Sequence, residues 1–169
     1  MSKKIIMKQE NTKIRQVVNN WNIDDKTKEN QRDLLRKIFM NYDCKGDEYI
    51  NFKNAEIIVK KEIKKKLSSY KQQDITKNKL NETKIIKEDE ILEKLVGSKL
   101  KCYYCREDIK ILYEVVRDDK QWTLDRLDNS IGHNEDNIVI CCLKCNLQRR
   151  VRDDEKFKFT KQLKLKKVD

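Results

Sequence analysis

A chain of 169 residues has room for one domain, or for a small domain with an appendage. Its net charge is +11, with 41% of residues charged and 37% hydrophobic, so its core cannot be thick everywhere, while its basic surface suits a polyanion. The absence of proline and the three glycines exclude collagen-like, proline-rich and Gly/Ser-linker architectures. No apolar run reaches the about 20 residues of a membrane span. The start, MSKKIIMKQEN, has no apolar stretch of the secretory kind. These features read as a basic intracellular chain, cytoplasmic or nuclear, with no membrane partner.

Residues 1–26 are polar with scattered apolar positions, and a helix is open near 11–20. The segment 27–42 reads as an amphipathic helix, with Thr27 as its cap and Leu34, Leu35, Ile38, Phe39 and Tyr42 at one-turn spacing. A second helix, 54–68, carries Ala55, Ile58, Val59, Ile63 and Leu67 on one face. Together they suggest a helix–loop–helix over 27–68. The loop between them resembles a worn EF-hand through Asp43, Lys45, Asp47, Tyr49, Asn51 and Asn54. Lys45, Glu48 and Asn54 stand where calcium needs an oxygen donor, a glycine and a bidentate glutamate, which argues against the ion. Residues 69–87 read as a linker or exposed helix. Residues 88–96 read as a short helix with an acidic first turn and Gly97 just past its end.

A composition boundary falls near 97, and both sides are basic, +7 and +4. Beyond it the period becomes alternating. Strands are expected at 109–115, 122–127 and 138–141, with turns at Asp118-Asp119-Lys120 and Asn129-Ser130-Ile131-Gly132. A helix follows at 143–152, with Arg149, Arg150 and Arg152 on its exposed side. The tail 153–169 is a basic tail or further helix, with Phe157, Phe159, Leu163 and Leu165 as anchors.

Four of the six cysteines form two C-x-x-C pairs, Cys102/Cys105 and Cys142/Cys145. Two such knuckles present four thiolates to one tetrahedral Zn²⁺. Cys141 offers an alternative register to Cys142, and Cys44 stands alone as a small hydrophobe.

Cys102-x-x-Cys105, Leu124-Asp125-Arg126, Gly132-His133, Asn137-Ile138 and Cys142-x-x-Cys145-Asn146 occur in this order. Over about 100–152 the chain resembles the HNH endonucleases, the ββα-metal family of intron-encoded nucleases, restriction enzymes, phages and large DNA viruses. The resemblance implies a zinc-bound ββα-metal domain over 98–152; with the basic helical region read over 1–97 and the tail, the expected class is α+β. It implies a metal-dependent DNA endonuclease. Asp125 and Asn146 would hold a catalytic Mg²⁺ or Mn²⁺, and Asn137 would fix the hairpin loop. Arg149, Arg150 and Arg152 would contact phosphates. DNA is the expected partner, RNA is open, and the N-terminal helices could dock a protein.

One slot departs from the family. Its general base is usually a histidine directly after the acid, and here that position is Arg126, which cannot accept a proton. Arg126 would contact the phosphate, leaving Asp125, Asp128 or His133 to activate water. The alternative is a non-catalytic HNH-like zinc module that binds nucleic acid, or serves assembly or transcription.

Overall fold

A computed structural model of the chain describes residues 21, 23–43, 45–46 and 48–163. The helix expected near 11–20, and Cys44, Asp47 and Leu165, lie outside the described residues. Asp24 opens α1 (Asp25–Glu29) by accepting from the Thr27 amide at 2.8 Å and its hydroxyl at 2.7 Å. Thr27 is therefore a donor inside the first turn, because an aspartate carboxylate already fills the cap. After Asn30 comes α2 (Gln31–Phe39), which buries Leu34, Leu35 and Ile38.

The next helix, α3 (Glu48–Thr76), starts before and runs past the expected 54–68. No glycine or proline interrupts that stretch, so nothing stops the helix; at 29 residues it is about 43 Å long. Tyr49, Asn51 and Asn54 thus sit on a helix and not in a calcium-type loop. The buried stripe is Ala55, Val59 and Ile63 near its start, with Asp74 buried near its end. In α4 (Glu88–Gly97) the Glu90 carboxylate accepts from the Lys87 amide at 2.8 Å, and Ile91 and Leu95 are buried.

The segment 109–115 alternates like a strand but forms none; it makes an isolated bridge, Lys110 with Gln121. In its middle, at Ile111 and Leu112, the backbone is paired instead with a side chain of α2. Gln31 Oε1 accepts from the Ile111 and Leu112 amides at 2.9 and 3.0 Å, and Gln31 Nε2 donates to Leu112 O at 3.0 Å. A glutamine amide can stand in for a neighbouring strand because it carries the same donor and acceptor.

The sheet is a two-stranded antiparallel pair, β1 (Trp122–Arg126) with β2 (Ile138–Cys142), registered Trp122 to Cys142 and Arg126 to Ile138. Next come α5 (Leu143–Arg149) and α6 (Asp154–Gln162). A ribbon of two strands has two unpaired edges, which need partners when buried. On β1 the residues two apart direct their backbone outward. Trp122 N donates to Lys110 O at 3.0 Å, and Leu124 N donates to Tyr70 Oη at 3.0 Å. Lys66, lying over the Trp122 ring at 4.6 Å, donates to Trp122 O. On β2, Tyr103 N donates to Ile140 O at 2.9 Å.

The buried apolar residues form one cluster that includes Leu35, Val59 and Ile91 as well as Tyr104, Trp122 and Ile140. The chain is thus mixed helical with one small sheet, an α+β arrangement. No helix among the described residues is long and apolar enough to cross a membrane.

Gln31 generates the first prediction. Gln31→Leu leaves two buried amides and a carbonyl unpaired and should lower stability in urea by about 1–3 kcal/mol. Arg32→Ala next to it breaks only an exposed pair with Asp108 and should change stability by at most about 1 kcal/mol. Equal effects would show that Gln31 is not the tie.

Candidate metal centre and the hairpin beside it

Cys102 and Cys105 sit on a tight turn before the sheet, where Cys102 N donates to Glu107 O at 2.9 Å and Arg106 N donates to Cys102 O at 3.0 Å. Cys142 ends β2 and caps α5, its sulfur accepting from the Cys145 amide at 3.3 Å. These elements bring the sulfurs of Cys102, Cys105, Cys142 and Cys145 within 4.8 Å of one another. Tetrahedral Zn–S bonds of about 2.3 Å place sulfurs roughly 3.8 Å apart; Cys105 and Cys142 sulfurs are 4.0 Å apart. The four fit a metal ion such as zinc.

Charge supports the same view. Hydrogen bonds from the Cys142 and Cys145 thiols hold the Cys102 thiol far below its ordinary pKa. The Cys102 sulfur in turn pushes Cys142 up to about 12, and Cys145 higher still. Four thiols this close cannot all ionise without a cation among them. Cys141 takes no part: it is fully buried, and its sulfur lies 3.2 Å from Thr123 Oγ1. The five described cysteines are all free of disulfides. A small ββα-like arrangement, β1–β2–α5, carries this cluster at one end.

The remaining candidates line the hairpin, and each has a structural partner. Asp125, on β1, is 7% exposed. Its Oδ2 accepts from Tyr104 Oη at 2.7 Å and Arg149 Nε at 2.6 Å, and its Oδ1 accepts from Arg149 Nη2 at 3.2 Å. Burial and the Asp125 carboxylate both raise the Tyr104 phenol above its ordinary pKa, so it stays a donor. Asn146, in the first turns of α5, donates its amide NH₂ to Thr123 Oγ1 and Leu124 O, both at 3.2 Å. Asn137 donates to Asp128 O and Gly132 O at 2.9 and 3.0 Å and accepts from the Asp128 amide at 2.9 Å, pinning the loop between the strands.

His133 and Arg126 converge on a residue far outside the ββα-like unit. Asp74 of α3 is 1% exposed. Its Oδ2 accepts from the His133 amide at 2.6 Å, and its Oδ1 lies 2.8 Å from His133 Nδ1 and 3.6 Å from Arg126 Nη1. Burial lowers the His133 pKa, with Asp74 opposing the shift. The approach requires Gly132: a Cβ there would lie 2.5 Å from Lys79 O and 2.8 Å from Asp74 Oδ2.

Arg149 corrects an expectation. It is 1% exposed, not on a free face, because the turn of helix that carries it packs against β1. Besides Asp125 it donates to Arg126 O and, at 2.7 Å, to Arg152 O. Arg150 and Arg152 are exposed. They line a groove between α5 and α6 with Leu147, Gln148, Phe157, Thr160 and Lys161.

A hard divalent cation needs carboxylate and carbonyl oxygens with free positions. Arg149 and Tyr104 take three of the roughly four acceptor sites of the Asp125 carboxylate, and the fixed Arg149 charge would repel a second cation there, so Asp125 and Asn146 fit a catalytic Mg²⁺ or Mn²⁺ poorly as they stand. Residue patterns missed the two side chains that seal this region. Tyr104 lies inside the first knuckle, and Asp74 lies on a polar helical stretch that gives no periodic signal. Comparison with family models, with curated proteins and with solved structures gives no match.

The second prediction concerns the cluster. The purified chain should carry one metal ion, lost in Cys105→Ser along with cooperative thermal unfolding. Its retention should fall as pH drops, because thiolates are the ligands. A metal-free chain with an unchanged melt would contradict this.

Proposed function

We propose that the chain is a nucleic-acid-binding module of HNH-like build, stapled by a structural Zn²⁺ at Cys102, Cys105, Cys142 and Cys145. The observation that carries the reading is the groove between α5 and α6. Arg150 and Arg152 line it and make no salt bridge among the described residues, and Lys161 completes its rim. Guanidinium groups without partners are poised for bidentate bonds to phosphate. Gln148, whose oxygen accepts from Lys161, has its amide NH₂ to donate to sugar and phosphate oxygens. The net charge of +11 attracts a polyanion from any side, and the groove gives that attraction a place. Duplex DNA is the partner that the resemblance favours.

A second reading is DNA cleavage, as in the HNH endonucleases. The motif order favours it, and so does Asn146: its amide NH₂ is spent on β1, which turns its oxygen away from the strand. The sealed Asp125 counts against it.

One experiment separates the two. Duplex DNA is titrated at two ionic strengths, and plasmid is incubated with the protein in Mg²⁺, in Mn²⁺ and in chelator. The binding reading expects affinity to fall steeply with salt through counterion release, without nicking. Replacing Arg150 and Arg152 together with glutamine should reduce the logarithmic salt slope by roughly two, about one per phosphate contact. Metal-dependent nicking would establish the second reading. Salt-independent behaviour, or no binding at low salt, would contradict both.

A further inference from the structure

The conflict at Asp125 has a specific form. The guanidinium of Arg149 holds the carboxylate at both oxygens, at 2.6 and 3.2 Å. Its other donors go to Arg126 O and Arg152 O, so four of the five N–H groups of an arginine are used. Nothing about this is a surface accident: Arg149 is 1% exposed and Asp125 is 7% exposed. On the neighbouring turn of α5, Asn146 is fixed by its NH₂ to Leu124 O and Thr123 Oγ1. A carboxylate, an amide and a fixed positive charge are thus assembled between one strand and one helix.

We infer that Arg149 is a built-in cation: its guanidinium occupies the charge position between β1 and α5 that a divalent metal would need, and closes that site to metal. The inference rests on the HNH-like reading of the ββα unit, not on DNA binding. A buried carboxylate requires a counter-charge. Within this chain Arg149 supplies it, bidentately and with a geometry a point charge does not need. A free cation would have to share the carboxylate with the guanidinium or displace it, and the two positive charges would repel at short range. With Arg149 present the unit keeps its shape without metal at Asp125. With Arg149 removed, the same carboxylate is left unbalanced, and a hard cation becomes the natural replacement.

That exchange is directly testable on the zinc-loaded full chain. Mn²⁺ is the probe, since its paramagnetism broadens nearby amide signals even when binding is weak. In the wild type, Mn²⁺ should leave the Asp125 and Asn146 amides sharp and the melting temperature unchanged. Arg149→Gln should melt lower, because it strands a buried charge. Mn²⁺ should then raise its melting temperature by several degrees and broaden those two amides. Asp125→Asn combined with Arg149→Gln should respond to Mn²⁺ in neither way. If Arg149→Gln does not fold unaided, folding rescued by Mn²⁺ is the expected result. Specific broadening at Asp125 in the wild type would overturn the inference, because the site would then be open. An Arg149→Gln chain that Mn²⁺ neither stabilises nor rescues would overturn it too. DNA binding by the wild type is measured separately. Its absence would sink the binding function and leave this result standing.

Discussion

Two antiparallel strands do not hold themselves together in water, and the architecture of this chain follows from how its one ribbon is held. Its open end is closed by four cysteines, two on the knuckle before β1 and two at the junction of β2 and α5. Its outer edges are closed by side chains and by the knuckle itself: Tyr70 and Lys66 from α3, Asn146 and Arg149 from α5, and the Tyr103 amide. The long helix α3 is needed for this. Its first half packs an apolar stripe against α2 and α4, and its second half places Lys66, Tyr70 and Asp74 along the ribbon.

This also explains why the polar residues of the ββα-like unit carry so many bonds within the fold. Asn137 ties the loop between the strands, Asn146 and Arg149 cap strand carbonyls, and Asp74 gathers the His133 turn and Arg126. Such buried networks are costly unless every member is paired. Here the pairing is close to complete. Among buried side-chain atoms of the described residues, one oxygen of Glu62, the Trp122 ring nitrogen and one oxygen of Asn134 have no partner. The buried chemistry-bearing side chains of the ribbon serve rigidity, while Arg150 and Arg152, with no salt bridge among the described residues, lie outside on the groove.

The parts legible in the sequence are those set by local rules. The two C-x-x-C pairs come together because a hairpin and a helix start are enough to juxtapose them. The strands at 122–127 and 138–141 and the helix at 88–96 show their period directly, and observed bounds differ from these by a residue or two. Apart from the Thr27 cap, taken by Asp24 close by, the failures share one cause, which is a partner distant in sequence. Alternation over 109–115 gives no strand: Gln31, some 80 positions earlier, takes the backbone bonds of Ile111 and Leu112. Arg149 looks exposed on a helical wheel but is drawn inward by Asp125, 24 positions before it. The last turns of α3, which reach Thr76, read equally as linker or exposed helix because they are polar. What they serve is a loop 59 residues away, through Asp74 and His133.

The most direct measurement is X-ray absorption at the zinc edge on the purified chain. The zinc-staple reading predicts a single shell of four sulfur neighbours at about 2.3 Å, with no nitrogen or oxygen in it. A shell containing nitrogen or oxygen ligands, or a chain that purifies folded without zinc, would contradict it.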